Sequence, residues 1–194
     1  GTGFGGGGVY CLNSSPIMSS LIVSNNSSQY SAPGFYLKNS SAEISKVKVH
    51  SNFTVGEGRG GGIYGTAFTG IISNSEIFNN SVNSSGGGIQ LNSASNALIL
   101  NVMIKGNAAN NGSGGGIALQ ESNPTMKNVL VIDNIATPYG GGGIYLSTSN
   151  PILLNCTIGG NSANNNEGGA IYSAYNSNAS LINSSLSLDV TWLY

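Results

Sequence analysis

The side chains that could carry out chemistry are few in this sequence. Its 194 residues include one histidine, His50, and two cysteines, Cys11 and Cys156. Glycosidic hydrolysis needs two carboxylates about 5–10 Å apart, and a zinc site needs closely spaced Cys and His ligands. The acids share no common spacing, so we predict no catalytic residue, no metal site and no enzyme. The seven acids are Glu43, Glu57, Glu76, Glu121, Asp133, Glu167 and Asp189.

The glycine-rich segments do not form a nucleotide-binding motif. Residues 1–6 match the pattern GxGxxG, but no strand precedes them and no ribose-binding acid follows. No glycine run is followed by the lysine of a phosphate-binding loop. We therefore predict no cofactor.

Tyrosines recur at a regular spacing and are the first candidates for contact with a ligand. Two positions of the series hold other residues, Gln90 and Ala118. Strand alternation would point the series away from the core. Stacked tyrosines could bind sugar rings or the flat face of a partner, or they could only stabilise the strand surface. The tyrosines of this column are Tyr10, Tyr36, Tyr64, Tyr145 and Tyr172.

The elements that position these residues come from a seven-fold repeat. A glycine followed by a large apolar residue recurs with gaps of 26, 28, 26, 28, 27 and 27 residues, and alanine replaces the glycine in the last copy. Repeats of this kind indicate stacked units, each unable to bury its own apolar face. The apolar members are Val9, Phe35, Ile63, Ile89, Ile117, Ile144 and Ile171.

Short runs with a period of two divide each repeat, which favours strands over helices. A coil of about 27 residues with three short strands is one rung of a parallel β-helix. We predict an all-β, right-handed parallel β-helix of about seven rungs, stacked about 4.8 Å apart. Residues 1–194 form one such domain, complete or as a segment of a longer solenoid. Each glycine is expected at a positive φ or at a close backbone approach.

A nearly pure asparagine column follows the apolar columns of each rung. We predict a ladder in which each amide bonds its copies in the rungs above and below. A turn column chosen for left-handed backbone is the alternative. The column contains Asn26, Asn52, Asn80, Asn107, Asn134 and Asn161, followed by Asp189.

Two apolar features are candidates for interaction. The first is an outward patch on the later rungs, whose size suggests an interface, with coverage by a flanking segment as the alternative. It comprises Leu100, Met103, Leu130, Ile132, Leu154 and Ile182. The second is an apolar C-terminal end that includes Trp192 and Tyr194. Neither end carries a charged cap, so we expect either a longer solenoid or end-to-end stacking of copies.

Sequons for N-glycosylation are abundant, which fits a glycosylated surface, although recurring Asn-Ser turns would give the same pattern. The candidate acceptors are Asn13, Asn25, Asn26, Asn39, Asn52, Asn79, Asn83, Asn111 and Asn178. Asn155 and Asn183 are also in sequons, but we expect them on strands, where they would be poorer acceptors.

Charge excludes several partner classes. Six basic and seven acidic residues give a net charge of −1, and Arg59 is the only arginine. Nucleic-acid binding is therefore not expected. There is no apolar run long enough to span a membrane.

Cys11 and Cys156 fall in inward columns of distant rungs, so we expect buried thiols, with an intermolecular disulfide as the alternative.

The segment Gly141–Tyr145, followed by Pro151 to Asn161 and Gly168–Tyr172, resembles right-handed parallel β-helix proteins. It is most similar to the repeats of polymorphic outer-membrane proteins and adhesin-like surface proteins. The resemblance covers nearly the whole chain and implies fold more than function. Pectate lyases and polygalacturonases share this fold, but they use clustered acids.

Three functions follow as expectations, all at an extracellular or cell-surface location. The first is a structural protein that self-associates head to tail into a filament. The second is an adhesin-like segment that binds glycan or a surface protein through the tyrosine column. The third is a polysaccharide-active enzyme, which the scattered acids disfavour.

Overall fold

The computed structural model describes residues 6–164, 167–187 and 189–192, the last three of these by their backbone only. In this part of the chain every strand pairing is parallel, and there is no helix. Successive strands visit three sheets in turn and then return to the first, one rung further along. The predicted all-β parallel β-helix, with rungs of about 27 residues, is confirmed.

The first sheet has seven strands, one from each rung. Its register pairs Val9 with Phe35 and Tyr10 with Tyr36, so the apolar and tyrosine columns stack as predicted. Its strands are Val9–Leu12, Phe35–Ser40, Ile63–Phe68, Ile89–Asn92, Ile117–Gln120, Ile144–Ser147 and Ile171–Ala174.

The second sheet has twelve strands because most rungs enter it twice, with a bend between the two segments. At the bend a non-glycine residue adopts a positive φ, for example Lys46 at 54° and Asn128 at 53°. The strands are Ile17–Ser19, Ile22–Ser24, Glu43–Ser45, Lys48–His50, Ile71–Phe78, Leu98–Lys105, Thr125–Lys127, Leu130–Ile132, Ile152–Leu154, Thr157–Gly159, Ser180–Ile182 and Ser185–Ser187.

The third sheet has seven short strands and encloses a second, smaller apolar cluster of Val82, Ala109 and Ala136. The columns recognised in the sequence do not include this cluster. The available signal was a small or β-branched residue two positions after each ladder asparagine. The strands are Ser27–Ser28, Phe53–Thr54, Ser81–Val82, Ala108–Gly112, Ile135–Pro138, Ser162–Asn164 and Val190–Trp192.

The main core runs along the axis between the first and second sheets. Ile44, Ile72 and Ile99 illustrate it, since each is fully buried and stacks on the next. Both cysteines are buried in this core as free thiols. At the two ends of the described rod the inward columns are less covered: Leu21 is 39% exposed and Leu186 is 48% exposed. Both side chains occupy inward positions, but only one neighbouring rung packs against each.

The glycine column serves close backbone approach. A Cβ on Gly88 would lie 2.6 Å from the carbonyl oxygen of Gly116 in the next rung, and one on Gly116 would lie 2.6 Å from that of Gly143. The positive φ belongs to another glycine two residues earlier in the rung, such as Gly86 at 72°. Both expected roles of glycine therefore occur, at different positions.

Candidate functional site

The tyrosine column of the first sheet forms two separate stacks. The rings of Tyr10 and Tyr36 have centroids 5.0 Å apart, and those of Tyr36 and Tyr64 are 5.1 Å apart. The second stack joins Tyr145 and Tyr172 at 5.7 Å. All three ring pairs are tilted by 32–38°, and their centroid separations lie within the range that aromatic pairs prefer.

The stacks differ in how much ring they present to solvent. Tyr10 is 46% exposed, Tyr64, Tyr145 and Tyr172 are partly exposed, and Tyr36 is only 7% exposed because a ring covers it on each side. The expectation of a solvent-facing column is therefore wrong for Tyr36. Its role is cross-rung packing, while the other four can contact a ligand.

Two phenols of the column remain protonated at neutral pH. Burial raises the pKa of Tyr36, and the neighbouring Tyr64 and Tyr10 raise it further. Burial also raises the pKa of Tyr145; a hydrogen bond with Ser147 opposes this shift, and Tyr175, Tyr172 and Glu167 add to it. The hydroxyl of Tyr145 can therefore donate a hydrogen bond at physiological pH.

A cleft of about 210 Å³ lies where the column is interrupted. The register places Gln90 beside Tyr64 on one side and beside Ala118 on the other, with Tyr145 in the following rung. The alanine side chain is too short to fill the position of a tyrosine ring. The cleft is lined by Arg59, Ser85, Gln90, Ser113, Ala118, Leu119, Gln120, Tyr145 and Ser147.

Gln90 is the unusual residue of this cleft. It is 3% exposed, and its Nε2 donates to Asn92 Oδ1 at 3.1 Å. Asn92 Nδ2 in turn donates to the hydroxyl of Tyr64 at 3.3 Å. Gln90 Oε1 is buried and accepts no hydrogen bond from any described residue. A buried carbonyl without a donor costs about 1–3 kcal/mol, so this atom is a candidate ligand contact.

Arg59 supplies the positive charge of the cleft. Its side chain is exposed, and within the described part of the chain the ion pairs are Lys48 with Glu76 and Lys105 with Asp133, both at 3.6 Å. Arg59 therefore forms no ion pair there. The sequence reading noted it as the only arginine but did not place it beside the tyrosine column.

The asparagine column forms a continuous buried ladder. Asn107 Nδ2 donates to Asn134 Oδ1 at 3.0 Å, and Asn80 Nδ2 donates to Asn107 Oδ1 at 3.0 Å. The series runs from Asn26 through Asn52 and Asn161 to Asp189 Oδ1. The left-handed backbone belongs to the preceding residue, such as Asn79 at 53°, so the alternative reading as a left-handed turn column is wrong for the ladder residues.

A second asparagine ladder, on the surface, was missed in the sequence. It occupies the left-handed bend of the second sheet, where Asn101 Nδ2 donates to Asn74 Oδ1 at 3.0 Å and Asn128 Nδ2 donates to Asn101 Oδ1 at 2.9 Å. Asn155 continues it. The signal was the same spacing of 27 residues, hidden because Ser20 and Lys46 occupy the first two positions.

The sequons fall into two groups. Asn52 is fully buried, and its Nδ2 donates both to Val23 O and to Asn80 Oδ1 at 2.9 Å, so its assignment as an acceptor is incompatible with this structure. Asn26 is half-buried and bonded in the same ladder. The others are exposed or half-buried: Asn13, Asn25, Asn39, Asn79, Asn83, Asn111 and Asn178. Asn155 and Asn183 lie exposed at bends, not on strands.

The outward apolar patch is more covered than expected. Leu100, Met103, Leu130, Ile132 and Leu154 are half-buried, and Ile182 is 46% exposed. Met103 pairs directly with Leu130, but the exposed Lys127 separates Leu100 from Leu154. Side chains about 4.8 Å apart cover one another. Trp192 pairs through its backbone with Asn164, while its side chain and Tyr194 lie outside the described residues.

The described residues contain no cluster of three metal-ligating side chains. Nor do they include a helix long and apolar enough to cross a membrane.

Comparison with known proteins gives a family but no individual relative. Residues 7–186 match the family described as "Right handed beta helix region". No curated protein and no solved structure matches the chain. Because the family match spans nearly the whole chain and agrees with the rungs and sheets described above, this chain belongs to the right-handed beta-helix family.

Proposed function

We propose that this chain is an extracellular β-helix segment that binds a glycan through the tyrosine face of its first sheet, as an adhesin-like surface protein would. The observation that carries the proposal is the arrangement of two tyrosine stacks on either side of a polar cleft. Sugar-binding sites combine flat apolar faces with a few fixed polar groups. Exposed sequons at Asn13, Asn25 and Asn39 support an extracellular location.

The placement of the carboxylates favours binding over catalysis. Glu76 and Asp133 pair with lysines, and Glu167 Oε2 accepts a hydrogen bond from the backbone N of Gly140 at 2.9 Å. Asp189 ends the buried amide ladder. These four acids have structural partners, and none lines the cleft, so we propose that the protein is not an enzyme.

Glycan binding can be tested on an oligosaccharide array and then by titration calorimetry. The double variant Tyr145→Ala and Tyr172→Ala should lose about 5- to 150-fold in affinity. Both rings of the second stack are removed, and each aromatic contact is worth about 0.5–1.5 kcal/mol. Tyr139→Ala is the matched control, since Tyr139 is 53% exposed and lies outside the column. Equal affinity for the double variant and the control would reject the tyrosine face as the binding surface.

End-to-end association into a filament is the second candidate. It is favoured by the inward side chains that the outermost described rungs expose, among them Leu21 at 39%, Leu181 at 39% and Leu186 at 48%. Such a face can accept either a further rung of the same solenoid or the first rung of a second copy. Sedimentation at increasing protein concentration, with electron microscopy, should reveal rods longer than one chain. A monodisperse monomer at high concentration would reject this candidate.

A further inference from the structure

We infer that the interruption of the tyrosine column at Gln90 and Ala118 is a subsite for one sugar unit, with Gln90 Oε1 accepting a hydrogen bond from a ligand hydroxyl. This inference rests on the proposed glycan-binding function and names the subsite and the ligand class. It starts from the one buried side-chain polar atom that no described residue satisfies.

The free acceptor is held in place by neighbouring side chains. Gln90 Nε2 is engaged by Asn92 Oδ1 at 3.1 Å, and Asn92 is engaged by Tyr64 at 3.3 Å. With its nitrogen committed, Gln90 keeps a buried Oε1 without a donor, and the residue itself lines the cleft. A fixed group loses little conformational entropy on binding, which favours affinity.

The size of the cleft restricts the ligand. Clefts that hold drug-sized molecules measure about 300–1,000 Å³, whereas this one measures about 210 Å³. A single pyranose unit fits that limit better than a larger planar ligand. Its hydroxyls can donate to Gln90 Oε1 and accept from Gln120, Ser113 or Tyr145, all of which line the cleft.

The charge of the cleft indicates which sugar is preferred. Arg59 lines the cleft and forms no ion pair within the described ranges, while Glu167, the acid that acts on Tyr145, already accepts from Gly140 N. A guanidinium pairs best with a carboxylate. We therefore expect a sugar that carries a carboxylate to bind more tightly than its neutral counterpart.

The test compares two probes, an oligosaccharide of hexuronic acids and the matched neutral hexose oligosaccharide, by calorimetry with the whole chain. Gln90→Leu should weaken binding of the acidic probe by about ten-fold, the effect of one lost hydrogen bond. Arg59→Ala should weaken binding of the acidic probe by a similar factor and leave binding of the neutral probe unchanged. Lys105→Ala, on the second sheet, is the charge-matched control and should change the affinity for neither probe.

A stability measurement separates binding from folding. Gln90→Leu removes a buried unsatisfied oxygen but also the donor to Asn92 Oδ1, so the two effects oppose each other and the urea midpoint should stay close to that of the wild type. A purely structural role for Gln90 would instead lower the midpoint. If the wild type binds and the two cleft variants bind equally well, the subsite is rejected and the tyrosine face stands. If the wild type binds neither probe nor any array glycan, both proposals are rejected.

Discussion

Replacing one asparagine at the centre of the buried ladder should lower the free energy of unfolding by several kcal/mol. Asn107 makes four side-chain hydrogen bonds: it donates to Ile77 O and Asn134 Oδ1 at 3.0 Å each, and accepts from Asn80 N and Asn80 Nδ2 at 3.0 Å each. Asn107→Ala removes all four and leaves the buried amide N–H of Asn80 without an acceptor. At about 1 kcal/mol per bond and about 1–3 kcal/mol for an orphaned buried donor, we expect a loss of about 5–7 kcal/mol.

The matched control lies at the start of the same ladder. Asn26 is half-buried and its side chain makes one ladder bond, from Nδ2 to Asn52 Oδ1 at 2.9 Å. Asn26→Ala should therefore cost about 1 kcal/mol. Urea unfolding followed by far-ultraviolet circular dichroism gives both free energies of unfolding by linear extrapolation. A difference below about 1 kcal/mol between the two variants would refute the reasoning that ladder bonds stabilise the stack.

A third variant, Asn107→Asp, separates hydrogen bonding from burial of charge. Its carboxylate could still accept from Asn80 but, when ionised, could not donate to Ile77 or Asn134. Burial disfavours the charged form and raises the folded-state pKa of this carboxyl above its unfolded value of about 3.9. The variant should therefore be most stable below about pH 4 and lose stability as the pH rises through the folded-state pKa. Stability that rises with pH over that range would contradict a buried site that needs a donor at this position.

Three further outcomes follow from the same geometry. Gly88→Ala places a Cβ 2.6 Å from Gly116 O, so urea unfolding should give a loss of about 1–3 kcal/mol; an unchanged midpoint would show that the rungs can separate. Burial raises the thiol pKa of both Cys11 and Cys156, so stability should fall as the pH rises above about 8.5. Thiol labelling should also be at least about ten-fold slower in the native chain than in the urea-unfolded chain. Equal labelling rates would contradict burial of the thiols. Asn101 has a φ of 54° in the exposed ladder, so Asn101→Ala should cost about 1–2 kcal/mol and Asn101→Gly much less; equal costs in urea unfolding would mean that the surface hydrogen bonds outweigh backbone strain.

The rung architecture could be predicted because every column repeats its own chemistry. Ile44, Ile72 and Ile99 predict one another's burial, and Asn80, Asn107 and Asn134 predict one another's hydrogen bonds. Errors arose where a residue depends on its distance from the end of the stack. Leu186 has the same inward position as Ile158, yet it is exposed because one rung and not two packs against it.

The contacts of the candidate site were less predictable, since they depend on interactions made once. The sequence placed Gln90 and Ala118 in the tyrosine column but could not indicate that Gln90 Nε2 bonds Asn92 and leaves Oε1 free. It could not indicate that Arg59 borders the same cleft, because the equivalent position in the neighbouring rung, Ser31, carries a serine and gives no sign of a charged group. Tyr36 shows the converse. Its place in the column was predicted correctly, but its exposure to solvent was not.

A β-helix concentrates its unsatisfied groups where its repeat is broken. Within a regular column each polar side chain finds its partner in the next rung, as the amides of Asn107 and Asn134 do. In the column, Gln90 lies between Tyr64 of the previous rung and Ala118 of the next rung. Neither of these neighbours donates a hydrogen bond to its Oε1. Leaving that oxygen buried costs about 1–3 kcal/mol, a sizeable part of the roughly 5–15 kcal/mol by which domains are stable. Violations of this kind are expected at functional sites, which makes the interruption of the column more informative about function than the column itself.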